Sequence, residues 1–431
     1  MAQSEGPDKP QSPLRSLRVL VVGLVAVVAV VGIALLILAI GQTRSPAKET
    51  PANALAESQD QCVVCHRSAT PGIVEQYSAS TMAVAKVGCR DCHEVKSDYP
   101  EAVEHEGTFV LGSPTPAKCQ RCHGPEVAQF YQSRHSLPAY TAVAGSKGLS
   151  PEFMAMYQAI PEGGFDPNKA PHPLFVAEGP DVTPFACSNC HNVGEPRADG
   201  SVGQCQKCHL RHTFSLEQAR KPETCNACHI GPDHPQWEIY QESPHGIAYA
   251  TSGATWHWQA EAGTLTVNDF PAPTCATCHI SGFGANGTTH DVGDRLTWFL
   301  FAATSQRRPD WQTNQTHMQT VCRECHNETF IKDFYTAADK STEAVNAWVK
   351  QSDDMMAPLK DKKLLTDKPF DEPIDFTYFE LWHHWGRGAK FGTWMQGPDY
   401  TQWHGAYEVL SDLAELRQMV DEKLKAAQTG D

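Results

Sequence analysis

Residues 187–229 read CSNCHNVGEPRADGSVGQCQKCHLRHTFSLEQARKPETCNACH, and in this stretch the pattern Cys-x-x-Cys-His occurs three times. The pattern is the signature of c-type haem attachment. Two thiols form thioethers to the vinyl groups of a haem, and the histidine that follows is close enough to ligate the iron. One short motif therefore supplies both the covalent tether and the proximal ligand.

Working outward from Cys187/Cys190/His191, Cys205/Cys208/His209 and Cys225/Cys228/His229, five more copies occur. They are Cys62/Cys65/His66, Cys89/Cys92/His93, Cys119/Cys122/His123, Cys275/Cys278/His279 and Cys322/Cys325/His326. The eight motifs use all 16 cysteines, which implies eight covalently bound c-type haems. A four-cysteine zinc site or a redox dithiol would also use C-x-x-C pairs. Neither requires a histidine directly after each second cysteine, and histidine is only 20 of the 431 residues.

The motifs are too closely spaced for each to have its own protein core. The expected fold is mainly α, a loop-rich multihaem cytochrome c fold whose core is the haems themselves, closed by C-terminal helices. Thirty prolines and 31 glycines suit such a wrap. The formal charge of −15 argues against nucleic acid, whose binding needs basic patches, and favours basic redox partners or a small neutral or polar substrate. Ordinary solubility accounts for that charge excess equally well.

Val19 to Ile40 is a run of 22 residues free of charge, about 33 Å as a helix and long enough to cross a bilayer core of about 30 Å. Arg15 and Arg18 precede it, so the positive-inside rule leaves residues 1–18 cytoplasmic and everything after Gly41 outside. A cleaved signal peptide is the alternative, but its apolar run is normally shorter. Either way the haems lie on the periplasmic side of the cytoplasmic membrane. The expected order is a transmembrane anchor at 19–40, a linker at 41–61, an octahaem domain at 62–330 and a C-terminal helical region at 331–431.

Gly124 to Ala186, rich in proline, glycine and aromatics, reads as an irregular lid or docking region. The segment from Glu408 to Ala427 is amphipathic through Leu410, Leu413, Leu416, Val420 and Leu424. Tyr131-Gln-Ser-Arg-His135 and Tyr240-Gln-Glu-Ser-Pro-His245 share a Ser-x-His ending that offers a distal ligand. Gln76-Tyr-Ser-Ala-Ser-Thr-Met82 aligns with them and puts Met82 where the histidine stood, which would raise one haem's potential if the sulfur ligates. Of the 12 histidines outside the motifs, the expected distal ligands are His135, His212, His245, His290, His404 and one of His383 or His384, with His384 the choice.

The passage CQKCHLRHTFSLEQARKPETCNACHIGPDHPQWEIYQESPHG, Cys205 to Gly246, closely resembles the hydroxylamine oxidoreductase family of octahaem cytochromes. The resemblance in motif number and order covers most of residues 60–410. It implies that Asp233 and His234 are the distal catalytic pair and that the haem at Cys187, Cys190 and His191 is catalytic, with an open sixth position. It further implies a homotrimer. In the oxidising members a tyrosine from a neighbouring subunit is bonded to that haem, and here Tyr400, in GPDYTQWHG, is the candidate, with Tyr407 in reserve.

The resemblance implies oxidation of hydroxylamine to nitric oxide or nitrite, with Asp233 and His234 taking protons as general bases. Reduction of nitrite or hydroxylamine to ammonium is the alternative on the same fold. A non-catalytic electron conduit, with all eight irons six-coordinate, is the alternative from another class. The chain is shorter than the oxidases of the family and carries an apparent anchor. A membrane quinone-linked partner is therefore as reasonable an electron acceptor as a soluble cytochrome c.

Overall fold

A computed structural model describes residues 60–160, 165–261 and 263–429. The expected anchor at Val19 to Ile40, the segment before it and nearly all of the linker lie outside the described residues, as do Pro161 to Gly164 of the lid region. Among the described residues no helix is long and apolar enough to cross a membrane.

The chain divides into two compact units, Met1–Ala79 and Ser80–Asp431. In the first, helix α1 (Gln61–Ala69) carries the first motif, and helix α2 (Pro71–Ser78) follows it. Asp60 caps α1 by accepting the amide of Cys62, so an otherwise orphan N–H is satisfied at the first tethering cysteine. The Nδ1 of His66 bonds Thr70 Oγ1 at 2.8 Å, which makes Nε2 the nitrogen for the iron.

The second unit begins with a small antiparallel sheet, β1 (Glu94–Val95), β2 (Val103–His105) and β3 (Thr108–Val110), with β3 in the middle. Beyond it come short helices and connecting turns, among them α3 (Gly124–Gln132), α4 (Leu137–Ala144) and α5 (Cys187–His191), the last being the fourth motif itself. Helices α6 (Gln236–Glu242) and α7 (Pro244–Ser252) follow the sixth motif, and the pair β4 (Trp298–Phe299) and β5 (Gln306–Arg307) lies after the seventh. Apolar clusters in this region are small. One gathers Trp256, Trp258, Leu265 and Phe270, and another Leu137, Tyr157, Ile160 and Val202. A polypeptide with so little core of its own needs its cofactors to fill the interior, as the motif spacing predicts.

The shared Ser-x-His endings have a common local geometry. Ser133 ends α3, is fully buried and accepts the amide of His135 at 2.9 Å. Ser243 ends α6 and caps α7 by accepting the amide of Gly246, which sets His245 in the first turn of α7. Ser80 is likewise buried and accepts the amide of Ala83, with Met82 beside it half-buried.

The main protein core lies in the C-terminal helices. Helix α8 (Trp311–Cys322) leads into the eighth motif, and α9 (Glu328–Asp361) begins under a cap in which Asn327 accepts the amide of Phe330. Its buried positions, Ile331, Tyr335, Ala338, Thr342, Val345, Val349, Ser352, Met356 and Leu359, alternate steps of four and three. That is the stripe of a helix packing along its whole length. The chain then returns through α10 (Pro373–Glu380), a π turn at Leu381–Trp385 and α11 (Gly386–Met395). Bonds from Tyr378 to Asp353 and from Trp394 to Thr342 show this stretch running antiparallel to α9. Helix α12 (Pro398–Thr401), a second π turn at Gln402–Ala406 and α13 (Tyr407–Thr429) complete an up-down-up layer.

The stripe on α13 differs from the expected one by a single position. Val409, Leu413, Leu416 and Val420 are buried, while Leu410 is half exposed. The four-three-four spacing starts at Val409, so Leu410 falls one residue, about 100°, off the packed face.

Candidate functional site

Motif histidines meet non-motif histidines in pairs. Ring centres lie 6.3 Å apart for His93 and His212, 6.2 Å for His209 and His290, 6.1 Å for His245 and His326, and 5.8 Å for His135 and His229. Two imidazoles that ligate one metal from opposite sides, with metal–nitrogen bonds of about 2.0–2.1 Å, have ring centres about 6.3 Å apart. The four pairs fit bis-histidine haem ligation on that test.

The surroundings also fit. Burial pushes His135 and His209 down to about 4 and His229 down to about 3, which keeps them in the neutral form that binds metal. The outer nitrogen of two of the proximal rings is held as well: His93 Nδ1 donates to the carbonyl of Leu111 at 2.7 Å, and His229 Nδ1 bonds Gln236 Oε1 at 3.1 Å. The buried Nε of Arg295 has no acceptor among the described residues, and a haem propionate is of the right chemistry to be one.

Motif sulfurs also touch across the sequence. Cys119 contacts Cys205, Cys190 contacts Cys228, and Cys225 contacts Cys275. The third motif is thereby next to the fifth, and the sixth next to both the fourth and the seventh.

The attachment residues differ in exposure: Cys65, Cys122, Cys208, Cys325 and His123 are exposed. For Cys65 the reason is its helix phase. Val63 is the buried residue of α1, and a position two residues further on is turned about 200° from it, toward the outside. Cys122 and His123 stand in the tight turn before α3, where both amides bond the carbonyl of Cys119 and the His123 carbonyl accepts the Val127 amide that opens the helix. The backbone there is satisfied by the turn, so no other segment has to cover it, and no ring contact is made by His123 among the described residues. The third motif thus has one sulfur, Cys119, packed inward against Cys205, and its second sulfur and proximal histidine at the rim.

The fourth motif has different surroundings. His191 Nδ1 donates to the carbonyl of Ala139 at 2.6 Å, which turns Nε2 inward. The loop after it passes so close to α4's entry that a Cβ on Gly194 would lie 1.8 Å from the carbonyl oxygen of Ser136. Only glycine permits that approach, so Gly194 helps fix the proximal side.

Opposite His191 stands His234, with ring centres 6.1 Å apart and planes nearly perpendicular at 82°. The turn that presents it, Gly231-Pro232-Asp233-His234-Pro235, links the sixth motif to α6. Gly231 takes a left-handed φ of 88°, and its amide bonds Glu238 on α6. Asp233 Oδ2 accepts from His234 Nδ1 at 2.6 Å. Burial opposes ionisation of Asp233, yet the His234 hydrogen bond and the nearby His234, His383 and Arg387 outweigh it and hold the carboxyl well below the usual range. His234 is also 6.1 Å from His229, but His229 already faces His135.

Three groups not singled out in the sequence close this side. Phe301, in the β4–β5 loop, packs on the His234 ring at 4.9 Å. Arg387 on α11 donates from Nε to the Phe301 carbonyl and from Nη1 to His383 Nε2, both at 2.9 Å. His383 is neutral, pushed down to about 2 by burial and by Arg387. Lys390, one turn beyond Arg387, is fully buried and gives its three donors to the carbonyls of Ala302 and Ala303 and the hydroxyl of Ser305. The i, i+4 spacing of His383 and Arg387 in the sequence was the available signal for this pair.

The other candidates lie apart from His191 in the single chain. His384, on the π turn, contacts Phe379, His383 and Trp385. His404 bonds Asp399 at 2.6 Å and stacks on Tyr400 at 5.1 Å. Among the described residues no motif histidine is in ring contact with His384 or His404. Tyr400 lies against α6, where its amide bonds Glu242, and no ring contact joins it to His191.

Residues 85–373 match the family model described as seven times multi-haem cytochrome CxxCH. Seven of the eight motifs fall inside that span. The chain belongs to the multi-haem CxxCH cytochromes that this model describes. Its cofactors are accordingly covalently bound c-type haems. A protein of Kuenenia stuttgartiensis described as a probable nitrite reductase-hydroxylamine oxidoreductase fusion protein is 28% identical over 247 residues, 51% of this chain and 25% of the relative. This multihaem chain thus spans about a quarter of that relative's length.

Two solved structures share the multihaem fold. A hypothetical multiheme protein superposes with a TM-score of 0.74 at 22% identity, covering 88% of this chain and 98% of the other. The Kuenenia stuttgartiensis reducing HAO-like protein complex gives 0.63 at 18% identity, covering 86% of each.

Proposed function

We propose that this cytochrome carries eight haems and oxidises hydroxylamine, toward nitric oxide or nitrite, at the haem tethered by Cys187 and Cys190 and ligated by His191. The observation that carries the proposal is the Asp233–His234 pair facing His191 at 6.1 Å. The iron supplies a binding position for nitrogen and an outlet for electrons. The chain's own part is to hold the substrate and accept its protons. Converting hydroxylamine and water to nitrite releases five protons and four electrons, and stopping at nitric oxide releases three of each. Asp233, kept ionised, orients His234 so that its Nε2 faces the substrate and takes up those protons.

The sulfur contacts support an exit route for the electrons. With Cys190 against Cys228, a haem on the fourth motif would lie beside one on the sixth, and Cys225 against Cys275 would continue the line to the seventh. We infer a periplasmic protein anchored at Val19 to Ile40 that passes electrons to a cytochrome c or a membrane quinone-linked partner. A homotrimer would bring Tyr400 to a neighbour's fourth haem. Half-exposed Trp403, Tyr407 and Leu410, at helical spacing near Tyr400, support such a subunit contact.

A second reading has its own observation. The His191–His234 separation equals that of the facing pairs, so a six-coordinate iron and a pure conduit role also fit. Electron paramagnetic resonance of the oxidised holoprotein, with hydroxylamine-dependent reduction of an acceptor, tests the proposal. A high-spin signal that changes with hydroxylamine, accompanied by turnover, supports oxidation. Eight low-spin irons support the conduit. Nitrite-dependent oxidation of reduced viologen, with ammonium formed and no hydroxylamine oxidation, supports the reductive direction.

A further inference from the structure

We propose that Arg387 holds a small oxyanion of the nitrite class on the distal side of the His191 haem, and so sets how the site discriminates between anionic and neutral nitrogen species. This rests on the reading that the iron on His191 is open to substrate.

Arg387 is a guanidinium with an unspent edge. It is nine-tenths buried, and among the described residues no carboxylate forms an ion pair with it. Nε is fixed by the Phe301 carbonyl, Nη1 by His383 Nε2, and the plane lies 5.3 Å from the ring centres of both Phe301 and Trp382. The group is thereby immobilised while Nη2 makes no hydrogen bond among the described residues. A buried, pre-oriented fork with spare donors is suited to two oxygens of one anion.

Two other buried cations have their donors engaged within the chain: Lys390 spends all three on the β4–β5 loop, and Arg220 bonds the carbonyls of Trp258 and Ala260. Arg387 is also in the right place. Phe301 is in contact with both its guanidinium and the His234 ring, so the cation is one aromatic ring from the distal histidine. A site that keeps Asp233 ionised would repel an anion unless a cation compensates, and in a dry pocket that compensation is worth far more than in water. Hydroxylamine, being neutral, has no such need.

The competing role is a salt bridge to a haem propionate, and the two differ in what they move. Ferric holoprotein is titrated optically with sodium nitrite, and the KM for hydroxylamine is measured on the same preparations. In R387Q the ratio of nitrite affinity to hydroxylamine affinity is expected to fall roughly 10- to 100-fold, the loss of a charge-assisted fork. R387K keeps the charge without the fork and should fall between the two. If R387Q fails to assemble its haems, R387K is decisive, and a nitrite affinity equal to wild type overturns the proposal. Equal weakening of both ligands with a shifted haem potential identifies a propionate partner and also overturns it. A wild-type protein silent to nitrite and hydroxylamine alike, with only low-spin irons, instead overturns the open-site reading on which the proposal rests.

Discussion

Asp233 Oδ2 accepts a 2.6 Å hydrogen bond from Nδ1 of His234, and this one bond decides which nitrogen of His234 faces His191. With Nδ1 occupied as donor, Nε2 is the nitrogen left to receive a proton. Asp233→Asn loses the charge that favours this arrangement, and the amide can equally well present N–H to the ring. Hydroxylamine turnover is expected to fall roughly 100-fold or more, mostly in kcat, in line with the loss of an oriented general base. Steady-state rates with an artificial acceptor check this, alongside a haem spectrum that should stay intact. A variant turning over at the wild-type rate would remove Asp233 from the mechanism.

The facing histidines lead to a spectroscopic expectation. His290 lies 6.2 Å from His209, while Gln129 fixes its backbone by accepting the His290 amide. Removing the imidazole in His290→Ala should convert one low-spin haem to high spin and leave the others as they were. His290→Met should keep that iron low-spin and raise its midpoint potential, because thioether ligation favours the reduced state. Redox titration followed by paramagnetic resonance distinguishes the two variants. An unchanged spectrum in His290→Ala would show that another group ligates the iron opposite His209.

The motif spacing made the proximal half of each haem site legible, because Cys-x-x-Cys-His is a local code. How deeply each motif lies is not in that code, and Cys65, Cys122 and His123 stand exposed where Cys119 is packed against Cys205. Distal ligands are not local either. His212 lies far along the chain from His93, and His290 from His209, and nothing in the intervening sequence records that the rings meet. Ser133 and Ser243 were the exception, since each buried serine sets the turn in which its histidine stands. Arg387 was illegible for another reason. Its placement depends on Phe301, whose carbonyl holds it from a loop 86 residues away. On α13, composition alone could not separate Val409 from Leu410, and the packed stripe chose Val409.

The C-terminal layer should respond to pH through Asp412. Burial, followed by the charges of Glu380, Glu408 and Glu415, pushes its carboxyl up to about 7, and its buried Oδ2 has no partner among the described residues. The folded value lies above the unfolded value of about 3.9. Between the two the native state binds more protons, so this group's contribution is fully present below about pH 4 and is lost as pH rises through 7. Asp412→Asn should therefore be more stable than wild type at pH 8, with the difference closing toward pH 4. Thermal unfolding at the two pH values measures it, and a constant difference would mean that Asp412 does not titrate in this range.

Lys390 gives the opposite sign. Burial, with the nearby Arg387 charge, pushes its ammonium down to about 7, while its three donors hold Ala302, Ala303 and Ser305. An unfolded lysine near 10.4 binds the proton that the native state gives up between about pH 7 and 10, so stability from this group rises with pH over that window. Lys390→Met lacks that rise. It also leaves two buried carbonyls without a donor, which costs about 2 kcal/mol or more at pH 7 and outweighs the relief of discharging the site. Among the described residues the Phe301 loop then keeps one hydrogen-bonding side chain from α11, Arg387, beside the Phe301–Phe391 ring contact. Denaturant unfolding should show the lower stability. Hydroxylamine turnover should fall with it, because Phe301 is the wall against which His234 is packed. A Lys390→Met protein that is destabilised yet fully active would separate the loop from the site.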